Sequence, residues 1–137
     1  MSNPIKITAT VQADAAKTWD YYTNPAHITQ WNFADPSWQC PSASNDMRAG
    51  GKYAARMEAR DGSFGFDFEA TYDEVTPGKG FTYTMPDGRQ VNTTFEQDAD
   101  ATQITVSFDP ENENPADMQR AGWQAILDNF KRYTEAN

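Results

Sequence analysis

Apolar and polar residues alternate along the middle of the chain. Between positions 62 and 75, every second residue from 64 to 72 is apolar: Phe64, Phe66, Phe68, Ala70 and Tyr72. The residues between them are acidic or small. Alternation of this kind is typical of a β-strand with one buried face and one solvated face. The segment therefore predicts a strand whose aromatic face forms either plain core or the wall of a cavity.

Shorter alternating segments predict strands elsewhere, at positions 5–11, 52–60, 81–85, 91–95 and 104–108. Turn-forming pairs such as Asp61-Gly62 and Asp87-Gly88 separate the later strands, and Asp-Gly is a strong hairpin signal. We predict a first strand and, further along the chain, an antiparallel meander of five strands, which makes about six in all.

Helix signals follow the first strand. Asp14 is a good N-cap for one short helix. Asn24 and Pro25 favour the start of a second short helix, which we expect to end near Trp31. The segment 32–45 contains prolines and shows no periodicity, so we predict a loop there.

A period of three to four residues marks the C-terminal segment, in Trp123, Ile126, Leu127, Phe130 and Tyr133. This spacing places apolar side chains on one face of a helix. We predict a long helix over about 115–135, with Asn114 as its N-cap and Pro115 as its first residue.

Length and charge narrow the class of protein. The chain has 137 residues, which predicts one domain over 1–137. Its net charge of −9 makes nucleic acid and anionic membrane surfaces poor partners. Cys40 is the only cysteine, so no internal disulfide can form. We see no secretory signal and no apolar stretch long enough to span a membrane, and we expect a cytoplasmic protein.

These elements predict an α+β fold in which the sheet wraps the long helix. The apolar strand faces need a cover, and only the C-terminal helix has an apolar stripe of sufficient length. Sheets twist and curl, so a curved sheet and a straight helix cannot touch along their whole length. Where they part, a cavity can form, and such cavities are usual ligand sites.

Four segments carry a resemblance to a known family: ADAAKTWDYYTNPAHITQW, MRAGGKY, DGSFGFDFEATYDEVTPGKGFTYTMPDGRQVNTTFE and AGWQAILDNFKRY. Together they resemble the START-like, Bet v 1-like (SRPBCC) superfamily, and within it the branch named after the C-terminal domain of the activator of Hsp90 ATPase. The resemblance covers about residues 5–135 and implies the helix-grip fold, often with an apolar cavity. Two departures, Trp31-Asn32-Phe33 and Ala70-Thr71-Tyr72, prevent any carry-over of ligand identity.

From the inner-face pattern and this resemblance we predict a set of ligand-binding wall residues. They are Trp31, Tyr53, Met57, Phe66, Phe68, Tyr83, Phe95, Gly122 and Ile126. The hydroxyl of Tyr53 or Tyr83 would orient the ligand. A glycine inside a helix costs about 1 kcal/mol relative to alanine, so we expect Gly122 to allow either close packing on the sheet or space for a ligand.

The sequence offers few other candidate catalytic or metal-binding residues. His27 is the only histidine, and we assign it a structural role, with general-base duty or a dyad with Cys40 as the alternatives. One His and one Cys do not suffice for a zinc site. Arg56 and Glu58 are expected to pair with acidic residues of the next strand on the outer face. We assign no catalytic residue, no metal and no cofactor.

Three functions follow from these features. The first is binding of a small hydrophobic or aromatic molecule between the sheet and the C-terminal helix. The second is an enzyme of the cyclase, dehydratase or hydrolase type acting on such a molecule, since the superfamily includes such enzymes. The third is a chaperone-interaction module, as the branch name implies. The sequence leaves the choice between enzyme and binding protein open, and it leaves open a weak homodimer.

Overall fold

The structure, a computed structural model, describes residues 4–137. Its elements in chain order are β1 (Ile5–Val11), α1 (Ala15–Thr23), α2 (Pro25–Trp31), β2 (Trp38–Asn45), β3 (Lys52–Ala59), β4 (Gly65–Thr76), β5 (Gly80–Thr84), β6 (Gln90–Asp98), β7 (Ala101–Phe108) and α3 (Ala116–Ala136). None of the helices in the described part of the chain is long and apolar enough to cross a membrane.

The seven strands form one antiparallel sheet in the order β1-β7-β6-β5-β4-β3-β2. Consecutive strands from β2 to β7 are neighbours, and β1 pairs with β7, so β1 and β2 are the two edges. The sheet is curled into a half-barrel around α3, with α1 and α2 following β1. The predicted helix-grip architecture is confirmed, with seven strands where about six were predicted.

The predicted loop over 32–45 is wrong, because part of it is strand β2. This edge strand pairs with β3, and its register shifts between Gln39 and Ser42. Pro41 lies within that irregularity. Proline is tolerated in a sheet at edges and bulges, because it removes a ladder donor. The irregularity also disrupts the alternation by which the strand could have been found.

The aromatic stripe of β4 is only partly buried. Phe64 precedes the strand and is 60% exposed, and Phe66 is 43% exposed. Tyr72 is buried, and a register shift after it brings Val75, rather than Glu74, opposite Phe81. The stripe therefore starts at the rim of the molecule and reaches the core only in its second half.

The helix starts agree with the sequence except in α3. Asp14 accepts a hydrogen bond from the backbone N–H of Lys17 (2.8 Å), as predicted for the cap of α1. Asn24 caps α2 through the backbone N–H of Ala26 (3.0 Å). In α3 the N-cap is Pro115 and not Asn114.

Gln119 explains the start of α3. Its side-chain amide donates to the backbone carbonyls of Glu111 (3.1 Å) and Asn114 (2.8 Å), and its side-chain oxygen accepts from the backbone N–H of Glu111 (2.8 Å). A side chain from the first turns thus ties down the preceding loop, so a capping asparagine is not needed.

The free edge of β1 is held by side chains of α3. Arg120 donates to the carbonyl of Lys6 (2.7 Å), Gln124 to that of Thr8 (3.1 Å) and Lys131 to that of Thr10 (2.7 Å). The helix residues lie on one face of α3, and every second carbonyl of an edge strand points away from the sheet. These bonds cover the edge and fix α3 beside β1. We call these three bonds the edge contact.

The outer sheet face carries the cross-strand ion pair expected for Arg56, which lies 3.4 Å from Asp67 on the next strand. The cross-strand pairing expected for Glu58 is wrong, because Glu58 pairs with Arg56 on its own strand at 3.0 Å. Exposed pairs of this kind contribute little to stability, so they mark a solvated face and do not hold the fold together.

Thr134 offers a test of the packing under α3. Its hydroxyl is buried and has no hydrogen-bond partner among residues 4–137. Removing an unpaired buried hydroxyl removes its desolvation cost. We therefore expect Thr134→Val to raise the free energy of unfolding by about 1 kcal/mol, measured by urea denaturation.

The matched control is Thr102→Val. The Thr102 hydroxyl is equally buried but donates to the carbonyl of Ala13 (2.8 Å), so this substitution should lower the free energy of unfolding by about 1–3 kcal/mol. Equal losses for the two variants would contradict the burial of an unpaired hydroxyl at Thr134.

Candidate functional site: an aromatic cavity under α3

A cavity of about 310 Å³ lies between α3 and the inner face of the sheet. Its walls are formed mainly by β3, β4, β5, α1, α2 and α3. The lining residues are Tyr22, Thr23, Trp31, Asn32, Asn45, Tyr53, Met57, Phe66, Phe68, Tyr72, Phe81, Tyr83, Met85, Arg89, Trp123 and Ile126.

The position of α3 explains why the cavity is here. The helix is fixed to β1 at one edge of the sheet by the edge contact, whereas the cavity lies against strands on the other half. Over β7, Trp123 stacks on Phe108 with ring centres 4.2 Å apart, so there the helix and sheet are in close contact. Further round the curled sheet the two surfaces part.

Most of the predicted wall residues line this cavity: Trp31, Tyr53, Met57, Phe66, Phe68, Tyr83 and Ile126. They come from α2, from three neighbouring strands and from α3. Alternation and helical spacing placed them on inner faces, and the sheet order brings those faces together. Their role in binding a ligand stays a prediction.

Phe95 and Gly122 lie outside the wall. Phe95 is buried in the core of β6, where its ring lies 5.2 Å from Trp19 and 5.5 Å from Tyr22, so α1 separates it from the cavity. A Cβ at Gly122 would meet no atom within 4 Å. The glycine therefore makes no close contact with the sheet, so that interpretation is wrong, whereas its role in leaving space for a ligand stays a prediction.

Several wall residues were not in the predicted set: Tyr22, Thr23, Asn32, Asn45, Tyr72, Phe81, Met85, Arg89 and Trp123. The aromatic and methionine residues among them share the inner-face periodicity and could have been included. Asn32 and Asn45 fell in the predicted loop, where no pattern indicated an inward side chain.

Trp31 is fixed by contacts on several sides. Its indole N–H donates to the carbonyl of Tyr21 (2.9 Å), and its own carbonyl accepts from the amide of Asn129 (2.8 Å). Its ring meets that of Phe130 edge to face at 4.9 Å. Two helices thus hold this part of the wall in place, so the shape of the cavity is preformed.

The Tyr72 hydroxyl in the wall is already hydrogen-bonded within the protein. It donates to the side-chain oxygen of Asn45 (2.6 Å), whose amide donates to the carbonyl of Thr23 (2.8 Å). Burial raises the pKa of Tyr22, another wall residue, to about 12.

Asn32 brings a second polar group to the wall. Its side-chain amide lies 3.4 Å from the Tyr53 hydroxyl, 3.5 Å from the Met57 sulfur and 3.8 Å from the Cys40 sulfur. Burial raises the pKa values of Tyr53 and Tyr83 well above the ordinary value, so both phenols stay protonated at neutral pH.

Arg89 is the one charged side chain in the wall formed by residues 4–137. Its guanidinium donates through Nε to Asp87 at 2.7 Å and is partly exposed. The wall has no Asp, Glu or His among the described residues. It therefore offers hydroxyl and amide groups to a ligand, but no carboxylate or imidazole to accept a proton from one.

His27 and Cys40 have separate surroundings. The Nδ1 of His27 lies 2.7 Å from the Tyr133 hydroxyl, its Nε2 lies 3.8 Å from Asp20, and its ring stacks on Tyr21. The Cys40 thiol donates to the carbonyl of Ser42 (3.4 Å), and burial raises its pKa. These contacts agree with a structural role for His27, and the raised pKa of the Cys40 thiol disfavours the thiolate that a nucleophile needs.

No three His, Cys, Asp or Glu side chains come together to hold a metal ion in the part of the chain that the structure describes.

The curled antiparallel sheet around a C-terminal helix, with a cavity between them, defines the helix-grip class of the START-like, Bet v 1-like (SRPBCC) superfamily. Within this class, the family model of Activator of Hsp90 ATPase homolog 1-like proteins matches residues 12–135. The chain belongs to that family.

Solved structures of similar proteins have the same fold. An AHSA1-like protein from Aeromonas hydrophila is 36% identical, with a TM-score of 0.88 over 96% of this chain and 93% of that one. A protein from Cytophaga hutchinsonii is 47% identical, with a TM-score of 0.85 over 98% of this chain and 94% of that one. A protein from Nitrosomonas europaea, 16% identical, has a TM-score of 0.85 over 98% and 95% of the two chains and shows the fold alone. No relative was found among curated proteins.

Gly122 should be replaceable with a gain in stability. The site is helical, and the Cβ of an alanine there would have no neighbouring atom within 4 Å. Gly122→Ala should therefore raise the free energy of unfolding by about 0.5–1 kcal/mol through helix propensity alone. The measurement is thermal unfolding followed by circular dichroism.

The neighbouring Ala121 is exposed on the same helix, and Ala121→Gly should lose a similar amount of stability. A lower melting temperature for Gly122→Ala would mean that the glycine is needed for a contact or a bend.

The buried tyrosine hydroxyls predict how the stability of the folded protein changes at alkaline pH. In the unfolded chain tyrosine ionises near pH 10, whereas burial keeps Tyr22, Tyr53 and Tyr83 neutral to higher pH in the folded protein. Their contribution to stability is complete below about pH 10 and is lost as the pH rises above it, because only the unfolded state then releases protons.

We therefore expect most phenolate absorbance to appear together with the loss of near-ultraviolet circular dichroism, above about pH 10. The same chain unfolded in guanidinium chloride should titrate smoothly near that pH. Full ionisation near pH 10 with native circular dichroism would contradict the burial of these hydroxyls.

Proposed function

We propose that this protein binds a small hydrophobic or aromatic molecule in the cavity under α3. The observation that carries the proposal is the cavity itself, about 310 Å³ in volume and lined mainly by aromatic and other apolar side chains. Ligand pockets are concave, mostly apolar and start at about this size. An apolar cavity of about 150 Å³ is already enough to hold benzene.

The stability cost of an empty cavity favours a bound molecule. Cavities in a protein core reduce stability in proportion to their volume, and the rings of this wall are held in place by their neighbours. A wall of Tyr53, Phe68 and Tyr83 packed edge to face or tilted cannot collapse inward without breaking those contacts. A bound molecule would replace the missing contacts.

The other two functions lack a favouring feature. A cyclase, dehydratase or hydrolase needs a positioned acid or base, and the wall formed by residues 4–137 contains no carboxylate and no imidazole. A chaperone-interaction surface on the outer sheet face would need an apolar patch, whereas that face carries Arg56, Glu58 and Asp67. The buried free thiol of Cys40 suits a reducing compartment, and we propose the cytoplasm.

The test is a binding screen followed by nuclear magnetic resonance, using fatty acids, aromatic polyketides and flavonoids. A ligand should shift the resonances of Tyr53, Phe68 and Tyr83 and raise the melting temperature, and above the dissociation constant this rise should follow the logarithm of the free ligand concentration. Failure of every compound to move these resonances would contradict the proposal.

Two substitutions on α3 test whether the ligand binds in the cavity. Ile126 lines the cavity, so Ile126→Trp should fill part of it and weaken binding at least tenfold. Met118 is 61% exposed on the same helix and outside the wall, so Met118→Trp should leave the dissociation constant unchanged. Equal effects of the two variants would place the ligand elsewhere.

A further inference from the structure

Two tyrosine hydroxyls in the cavity wall have donor capacity that the protein does not use. Tyr53 on β3 and Tyr83 on β5 lie beside each other, with ring centres 5.9 Å apart and ring planes tilted by 36°. Both line the cavity. They differ in this from Tyr72, whose hydroxyl donates to Asn45.

The Tyr83 hydroxyl is the clearer case. The residue is only 7% exposed, and its hydroxyl takes part in no side-chain hydrogen bond within residues 4–137. Unlike the enclosed hydroxyl of Thr134, its oxygen keeps some accessible surface, and the residue lines the cavity. A donor without a partner in that part of the chain can therefore bond to an acceptor bound in the cavity.

The Tyr53 hydroxyl also has a proton that no group of the described chain accepts. Its oxygen accepts from the Asn32 amide at 3.4 Å, which leaves its own proton free for another acceptor. Two neighbouring O–H donors without acceptors can converge on one oxygen atom, as donors do in sites that bind a carbonyl.

We propose that the hydroxyls of Tyr83 and Tyr53 donate hydrogen bonds to one neutral carbonyl oxygen of the bound molecule. This inference rests on the proposed function, because it names the polar group of a ligand whose body fills the aromatic cavity. The ligand class is thus an apolar or aromatic ketone, aldehyde, lactone or ester.

The charges around the cavity favour a neutral acceptor over a carboxylate. A buried anion needs a partner charge, and the one cation in the described wall, Arg89, is already paired with Asp87 at 2.7 Å. Burial keeps both phenols protonated at neutral pH, so they remain donors. A carbonyl oxygen accepts two hydrogen bonds without bringing a charge into the cavity.

The test compares two rigid molecules that differ only in the polar group, 9-fluorenone with its carbonyl and fluorene with a methylene in the same place. Dissociation constants are measured by nuclear magnetic resonance titration. The wild type should bind fluorenone about fivefold to tenfold more tightly than fluorene, the effect of one or two net hydrogen bonds.

Tyr83→Phe should abolish this preference by weakening fluorenone binding, while the affinity for fluorene stays the same or rises. Tyr133→Phe is the matched control, since its hydroxyl lies outside the wall and 2.7 Å from Nδ1 of His27, and the preference should survive. A native two-dimensional spectrum of each variant verifies the fold. A third probe, fluorene-9-carboxylate, should bind more weakly than fluorenone.

The outcomes separate the two proposals. If fluorene and fluorenone both bind with equal affinity, the carbonyl assignment is wrong and the binding function stands. If neither shifts the wall resonances, the binding function has failed and the assignment falls with it. If the carboxylate binds most tightly and Arg89→Gln removes that advantage, the ligand group is an anion and the assignment is also wrong.

Discussion

The edge contact between α3 and β1 is the constraint on which the rest of the structure depends. Arg120, Gln124 and Lys131 donate to successive outward carbonyls of β1 at 2.7–3.1 Å. An edge strand left open would be a site for pairing with another chain. These bonds close the edge and at the same time decide where the helix lies. Because α3 is fixed along one edge of a curled sheet, it cannot also lie against the opposite half.

The cavity follows from that placement. Close packing persists where Trp123 stacks on Phe108, and it gives way to open volume over β3 to β5. The wall there is built from large rings in edge-to-face contact, which are rigid because each ring has two torsions and several neighbours. The same rings carry hydroxyl groups, of which Tyr72 is bonded inside the protein and Tyr83 is not. A preformed apolar volume with a free donor is the arrangement expected of a selective binding site.

The periodicity of apolar residues was enough to predict the wall residues that lie on regular strands and helices. The inner-face alternation of Tyr53, Met57 and Phe68 and the helical position of Ile126 were enough to place them in one wall. Strand β2 was missed because Pro41 and a register shift break its alternation. Asn32 and Asn45 were missed because both lie in the segment predicted as a loop, Asn32 directly after α2 and Asn45 at the end of β2. The close contact with the sheet expected at Gly122 was wrong, because a Cβ there would meet no atom within 4 Å. The edge contact needs long polar side chains whose partners are backbone atoms, and no sequence pattern marks such pairs.

The most direct test of the central claim is a crystal structure of the unliganded protein under xenon pressure, since xenon enters apolar cavities. The account predicts xenon between Ile126 and the rings of Tyr53, Phe68 and Tyr83, with α3 still bonded to the carbonyls of Lys6, Thr8 and Thr10. Rings in mutual contact with no xenon between helix and sheet, or a helix detached from β1, would contradict it.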